Sequence, residues 1–242
     1  MITRLGFLVP PGNPTVEPEM AALAPPGTTV HFTRLHATGT TGSLDGQEHR
    51  NRQMLDSLDS ATDLLAMVRP AVIALAHTAT SITLGTAAEA ALITRIEATH
   101  NLRFITAFGS VLHALKALGI RRIAYGTPYA MATTLRGKAH LEAHGLDVTS
   151  FGVLPGVVNI YDETPERADQ LGRQVDTPQA EAVFLSGVGM PTVAALARLE
   201  TDLGKPVISA ASAMMWHAMR SAGIRTSISG FGQLFQHQGT TL

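Results

Sequence analysis

The nine residues His113-Ala-Leu-Lys-Ala-Leu-Gly-Ile-Arg121 recur in pattern as His217-Ala-Met-Arg-Ser-Ala-Gly-Ile-Arg225, 104 positions later. Each copy reads as the end of a helix closed by glycine, and each follows a short apolar run, 104–106 and 207–209. A pattern returning at that distance constrains the chain to two related halves. Two more pairs keep the same order: 4–11 matches 122–129, and 70–76 matches 180–186. Duplicated α/β halves place a binding site in the cleft between them, each half supplying one wall.

The apolar runs are short and β-rich, at 5–9, 30–35, 72–76, 104–106, 123–125, 148–151, 183–186 and 207–209. Amphipathic stretches separate them, at 49–68, 86–99, 110–118, 129–144, 165–174, 192–203 and 213–222. Strands alternating with helices of this length predict parallel pairing with right-handed crossovers. The expected fold class is α/β: two pseudo-symmetric domains, each a four-stranded, mainly parallel sheet flanked by helices, with the active site between them. The predicted boundaries are 1–110 and 111–210, with 211–242 packing back onto the first half.

The chain has no cysteine, which removes thiolate nucleophiles, disulfides and sulfur-ligated metal sites. A formal charge of −1 with 15% charged residues offers no basic face for nucleic acid. The apolar part of the N-terminus is too short for a signal peptide, and no run reaches the ~18 residues of a membrane span. A cytoplasmic enzyme is expected, without membrane or nucleic-acid partners; a homo-oligomer stays open.

In open α/β sheets, ligands sit where strand ends feed helix starts. The loops there are rich in Ser, Thr, Gly, Asn and Tyr and read as almost uncharged. Neutral donors of that kind suit a small carboxylate. In Pro10-Pro11-Gly-Asn13-Pro14, Asn13 is either a helix cap or an amide aimed at substrate, with Glu17 and Glu19 as first-turn residues. In 76–83, read as a loop, His77 is a candidate proton donor or base, and Thr78 and the N–H groups of Thr78 and Ala79 are oxyanion donors. Gly187 and Gly189 let backbone N–H groups approach a ligand, but no dinucleotide or phosphate loop is spelled out. Tyr129 and Asn159 are further donors. His140 and His144 share a helix face without the glutamate placement or third ligand of a zinc site, and read as partners of a helix C-terminus. His113 and His217 read as structural.

At these loops the chain resembles the Asp/Glu racemase superfamily, in its branch of arylmalonate decarboxylases and maleate cis-trans isomerases. The carriers are 9–11 with Asn13 and Glu17, the Thr78 loop, 121–124 followed by Tyr129, 185–187, and 206–209 with Trp216. The resemblance implies a site between the domains that needs no cofactor or metal. It implies Thr78 and Tyr129 as catalytic donors to an oxyanion, helped by the N–H of Val188 or Gly189. Asn13 and Asn159 become carboxylate-holding amides, with Pro11, Ala79 and Gly187 around the substrate. The chain departs from the family where cysteines fall: His77 stands in the first position and Gly187 in the second.

These readings lead to a cofactor-free carbon-acid enzyme, a lyase that decarboxylates a malonate-type acid in a dry, apolar pocket. An enediolate would be held by Thr78, Tyr129 and backbone N–H groups, and protonated by His77 or by water it positions. The alternatives are a one-base isomerase or epimerase using His77, and a carboxylate-binding protein without catalysis. A serine hydrolase is disfavoured because no Gly-x-Ser-x-Gly elbow is present.

Overall fold

A computed structural model describes residues 2–238 of the chain. Eight strands form two sheets: β1 (Thr3–Val9), β2 (Thr28–Arg34), β3 (Val72–Leu75), β4 (Phe104–Thr106), β5 (Arg122–Thr127), β6 (Asp147–Val153), β7 (Ala182–Leu185) and β8 (Val207–Ser209). The sheet orders are β2-β1-β3-β4 and β6-β5-β7-β8, with every pairing parallel. The second order repeats the first with four added to each number, which is the duplication written as topology.

The helices are α1 (Val16–Leu23), α2 (Gln47–Asp56), α3 (Leu58–Ala66), α4 (Thr78–Leu84), α5 (Thr86–His100), α6 (Ala107–Ala117), α7 (Met131–Ala143), α8 (Pro165–Val175), α9 (Val193–Leu203) and α10 (Ala210–Ser221). Two differ from the expectation. The stretch 49–68 is two helices, broken at Ser57, whose hydroxyl donates to Met54 O and accepts His36 N–H instead of serving a continuous helix. The segment 77–83 is no loop: His77 keeps an extended backbone and α4 starts at Thr78.

Side chains alternate across the strands as the pleat requires. In β1, Leu5, Phe7 and Val9 join the large core, whereas Leu8 joins a smaller one with Met54, Leu58, Ile73 and Phe104. Both faces of the first sheet are therefore buried, as parallel sheets demand. The large core runs unbroken from β1 through α6 and α10 into β5 and β7.

The repeated motif explains that continuity. Its two copies lie on α6 and α10, which pack against each other. The His113 and His217 rings stack there at 4.2 Å, and Ser110 Oγ lies 3.0 Å from His217 Nδ1. α10 also touches α1, β3 and β8. The last four positions of the 211–242 segment lie outside the described residues. Among the described residues, no helix is long and apolar enough to cross a membrane.

Candidate active site

The carboxyl ends of the central strands β1, β3, β5 and β7 converge, and the loops leaving them enclose a cavity of about 40 Å³. Pro10, Pro11 and Asn13 follow β1, His77 follows β3, Tyr129 follows β5, and Val188 and Gly189 follow β7. Strand order alone brings residues almost 180 positions apart to one spot.

The β1 loop is held from below. Arg34 donates to the carbonyls of Pro10, Pro11 and Asn13 at 3.1–3.2 Å and pairs with Glu17 at 2.9 Å. Asn13 Oδ1 accepts the N–H groups of Thr15 and Val16 at 2.8 and 3.1 Å, so Asn13 supports the start of α1 while its Nδ2 donates to Val188 O. Thr15 Oγ1 donates to Gly189 O at 2.9 Å. These contacts stitch the two halves together and take up the carbonyls of Val188 and Gly189. The N–H groups of 187–189 meet no acceptor among the described residues.

Gly187 has φ +94°, and a Cβ there would stand 2.9 Å from Pro128 Cγ and 3.4 Å from Tyr129 Oη. The tight left-handed turn is what brings the 187–189 backbone against Tyr129. Burial and the neighbouring Tyr125 push the Tyr129 phenol well above its usual range, with Thr78 opposing. Tyr129 is therefore a neutral O–H donor near neutrality. Thr78 is buried beside it without lining the cavity, with its hydroxyl against the phenol. Ala79 is likewise buried behind the wall.

His77 lines the cavity with its Nδ1 unpartnered. Burial, and then the Arg50 guanidinium, push the ring down to about 4. The imidazole is therefore neutral near pH 7. Asn159 does not line the cavity. Its Nδ2 donates to Thr41 O at 3.2 Å and its Oδ1 accepts the Tyr161 N–H at 2.9 Å. With Ile160 N–H donating to Gly42 O at 2.9 Å, Asn159 ties the segment around 41–43 to the segment around 159–161, and both cover the cavity. Gly42 (φ +80°) permits this, since a Cβ there would overlap the Asn159 amide.

The expectation of an uncharged site fails. α2 supplies a wall that loop composition could not announce: Gln47, Arg50, Asn51 and Met54. Arg50 is only 9% exposed, and its partners among the described residues are the carbonyls of Asp45 (2.6 Å) and Ser43. Neighbouring Glu48 is occupied by Arg52 and Arg136. Tyr161 completes the rim, its phenol pushed up to about 12 by burial although Arg50 and Arg34 oppose it. Ala37, Met54, Ile160 and Val188 line the cavity beside the prolines, so an apolar lining carries one buried cation. Arg50 and Asn51 were invisible because a polar helix face normally meets water; only Tyr161, two residues from Asn159, lay near a segment the sequence singled out.

One other expectation changes. Glu19 does not serve its own helix: its Oε1 crosses to the second half and accepts the N–H groups of Thr192 and Val193 at 2.6 and 2.8 Å. His140 lies in the last turn of α7, buried 3.6 Å from Glu89 and edge-on to Phe108, and His144 Nδ1 lies 2.8 Å from His140 O at the helix end. Among the described residues, no group of metal-ligating side chains is assembled.

Two sheets of one topology, with a cation-bearing cavity at their facing strand ends, make a two-lobed α/β fold. A sequence-family model described as arylmalonate decarboxylase matches residues 5–235, and the chain belongs to that family. It is similar to a maleate isomerase of Nocardia farcinica (strain IFM 10152), 26% identical over 97% of this chain and 96% of that protein. It is 32% identical to an arylmalonate decarboxylase of Bordetella bronchiseptica over 68% of this chain and 71% of that one. Among solved structures, a cysteine-to-serine mutant of the Nocardia farcinica maleate cis-trans isomerase, with a covalently bound succinylcysteine intermediate, superposes with a TM-score of 0.89. It shares 25% identity, covering 99% of this chain and 100% of that one.

Proposed function

We propose that this enzyme decarboxylates a small malonate-type dicarboxylic acid through an enediolate. The observation that carries the reading is the absence of cysteine from the chain. The thiol adduct seen in the Nocardia isomerase has no counterpart here, and neither does a two-thiol racemisation. Decarboxylation needs only donors for one carboxylate and a single proton for carbon.

In this mechanism one carboxylate is held by Tyr129 and by the N–H groups of Val188 and Gly189, with Thr78 behind the phenol and Asn13 beside the loop. The bond from the α-carbon to the other carboxylate breaks. Its electron pair passes into the enediolate and CO₂ leaves. Each preorganised donor contributes about 3 kcal/mol to such a transition state. A neutral His77 is a poor acid, but a dianionic guest reverses what sets its pKa. Negative charge beside the ring, and neutralisation of Arg50, both raise it. His77 then enters the reaction protonated, gives its proton to the α-carbon, and is recharged by water.

A second reading is favoured by the full-length similarity to maleate isomerases: His77 as a single base moving a proton α to a carboxylate. One experiment separates them. CO₂ release is followed across a malonate panel with wild type and His77→Gln, alongside exchange of substrate C–H in deuterated water. Release that collapses in His77→Gln supports the proposal. Equal rates in both proteins remove His77. Exchange without CO₂ favours the isomerase, and tight binding with neither signal leaves a carboxylate-binding protein.

A further inference from the structure

Arg50 and Asn51, adjacent on α2, each leave hydrogen-bonding capacity unspent against the cavity wall. The guanidinium carries five N–H donors. Among the described residues they meet only two carbonyl oxygens, with no carboxylate in reach. A buried cation without a counter-ion is destabilising, and an anionic guest would relieve it. Asn51 is 2% exposed and carries the opposite need. Glu48, an acceptor, takes the only hydroxyl proton of Thr83 at 3.0 Å. Thr83 must then accept from Asn51 Nδ2, at 2.9 Å. The other amide hydrogen points toward Ala79 O at 3.4 Å. This chain of bonds fixes the amide's orientation, and Asn51 Oδ1 is left buried with no donor. Both residues line the same cavity.

We infer that the site selects a dicarboxylate bearing a hydrogen-bond donor on its α-carbon, a hydroxy- or aminomalonate, with Arg50 holding a carboxylate and Asn51 Oδ1 accepting from the substituent. This rests on the cavity being the substrate site proposed above, and it names the substrate class. A methyl group, similar in bulk to a hydroxyl, leaves Asn51 unsatisfied and is rejected for that reason.

The test is calorimetric binding of malonate, methylmalonate, hydroxymalonate and aminomalonate, with CO₂ release from the same acids measured in parallel. Wild type should bind hydroxymalonate or aminomalonate at least about tenfold tighter than methylmalonate. The better of the first two identifies the substituent. Asn51→Leu should bring the hydroxymalonate-to-methylmalonate ratio close to one. Arg50→Met should weaken every dicarboxylate by about a hundredfold without lowering the ligand-free melting temperature, because it removes an uncompensated charge. Equal wild-type affinity for hydroxymalonate and methylmalonate overturns the inference even if neither variant folds; so does unchanged binding in Arg50→Met. Selective binding with no CO₂ from any acid keeps the inference and rejects the decarboxylase. CO₂ release indifferent to the substituent does the reverse.

Discussion

Glu19→Gln should make the protein relatively more stable as pH rises, and the size of the effect follows from the site. The Glu19 carboxylate is buried between α1 and α9, with Oε1 accepting two N–H groups of the second half and Oε2 accepting none. Two opposing effects act on it. The N–H bonds favour the ionised form, while loss of water disfavours it, and burial wins: the carboxyl is pushed from 4.5 up to about 7. The folded state therefore holds a proton that the unfolded chain has already released. Its stabilising contribution is complete below about pH 4.5 and is lost as pH rises through about 7. At ~1.4 kcal/mol per pH unit the full loss is about 3 kcal/mol, of which about 2–3 falls between pH 5 and pH 8. The glutamine keeps a carbonyl for Thr192 and Val193 and cannot ionise. Its unpaired amide hydrogens add a constant penalty that cancels between the two pH values. So do shifts at other groups, His77 and His217 included. Urea unfolding of both proteins at pH 5 and pH 8 measures the difference. Parallel profiles would show that the two N–H bonds hold the carboxyl near its ordinary value. A variant that loses ground with rising pH would reverse the assignment outright.

Binding of a dicarboxylate should take up a proton near pH 6, since burial and Arg50 hold His77 at about 4 without a neighbouring anion; calorimetry in buffers of different ionisation enthalpy would return a zero slope if the ring does not respond. Tyr129→Phe should lower kcat by about 10²–10³ with a much smaller change in KM, the mark of a donor used in the transition state, and an unaltered kcat would remove it from the oxyanion site. Gly187→Ala should cost about 2–3 kcal/mol in chemical denaturation, because φ is +94° and the new Cβ would press on Pro128 at 2.9 Å. No loss there would mean that the turn relaxes freely.

The halves, their parallel sheets and four strand-end positions of the site were legible because each depends on local pattern. A buried parallel strand must be apolar on both faces, as in Leu5–Val9 and Val183–Leu185, and a returning helix motif such as 113–121 and 217–225 reports a second copy wherever it packs. Asn13, His77, Tyr129 and the 188–189 turn sit at ends of such strands, so the topology carries them to one cavity. What tertiary structure alone decided is the charge of that cavity. Arg50 and Asn51 lie on a helix whose polar face would ordinarily meet water, and they become buried only because α2 is laid over the ends of β1 and β3. Asn159 was drawn the other way, its amide spent on joining two covering segments that approach only in the folded chain. Glu19 likewise looked like an ordinary first-turn acid until the second half arrived against it. Local order is encoded in neighbouring residues, whereas the dielectric and the partners of a side chain belong to whatever the fold places around it.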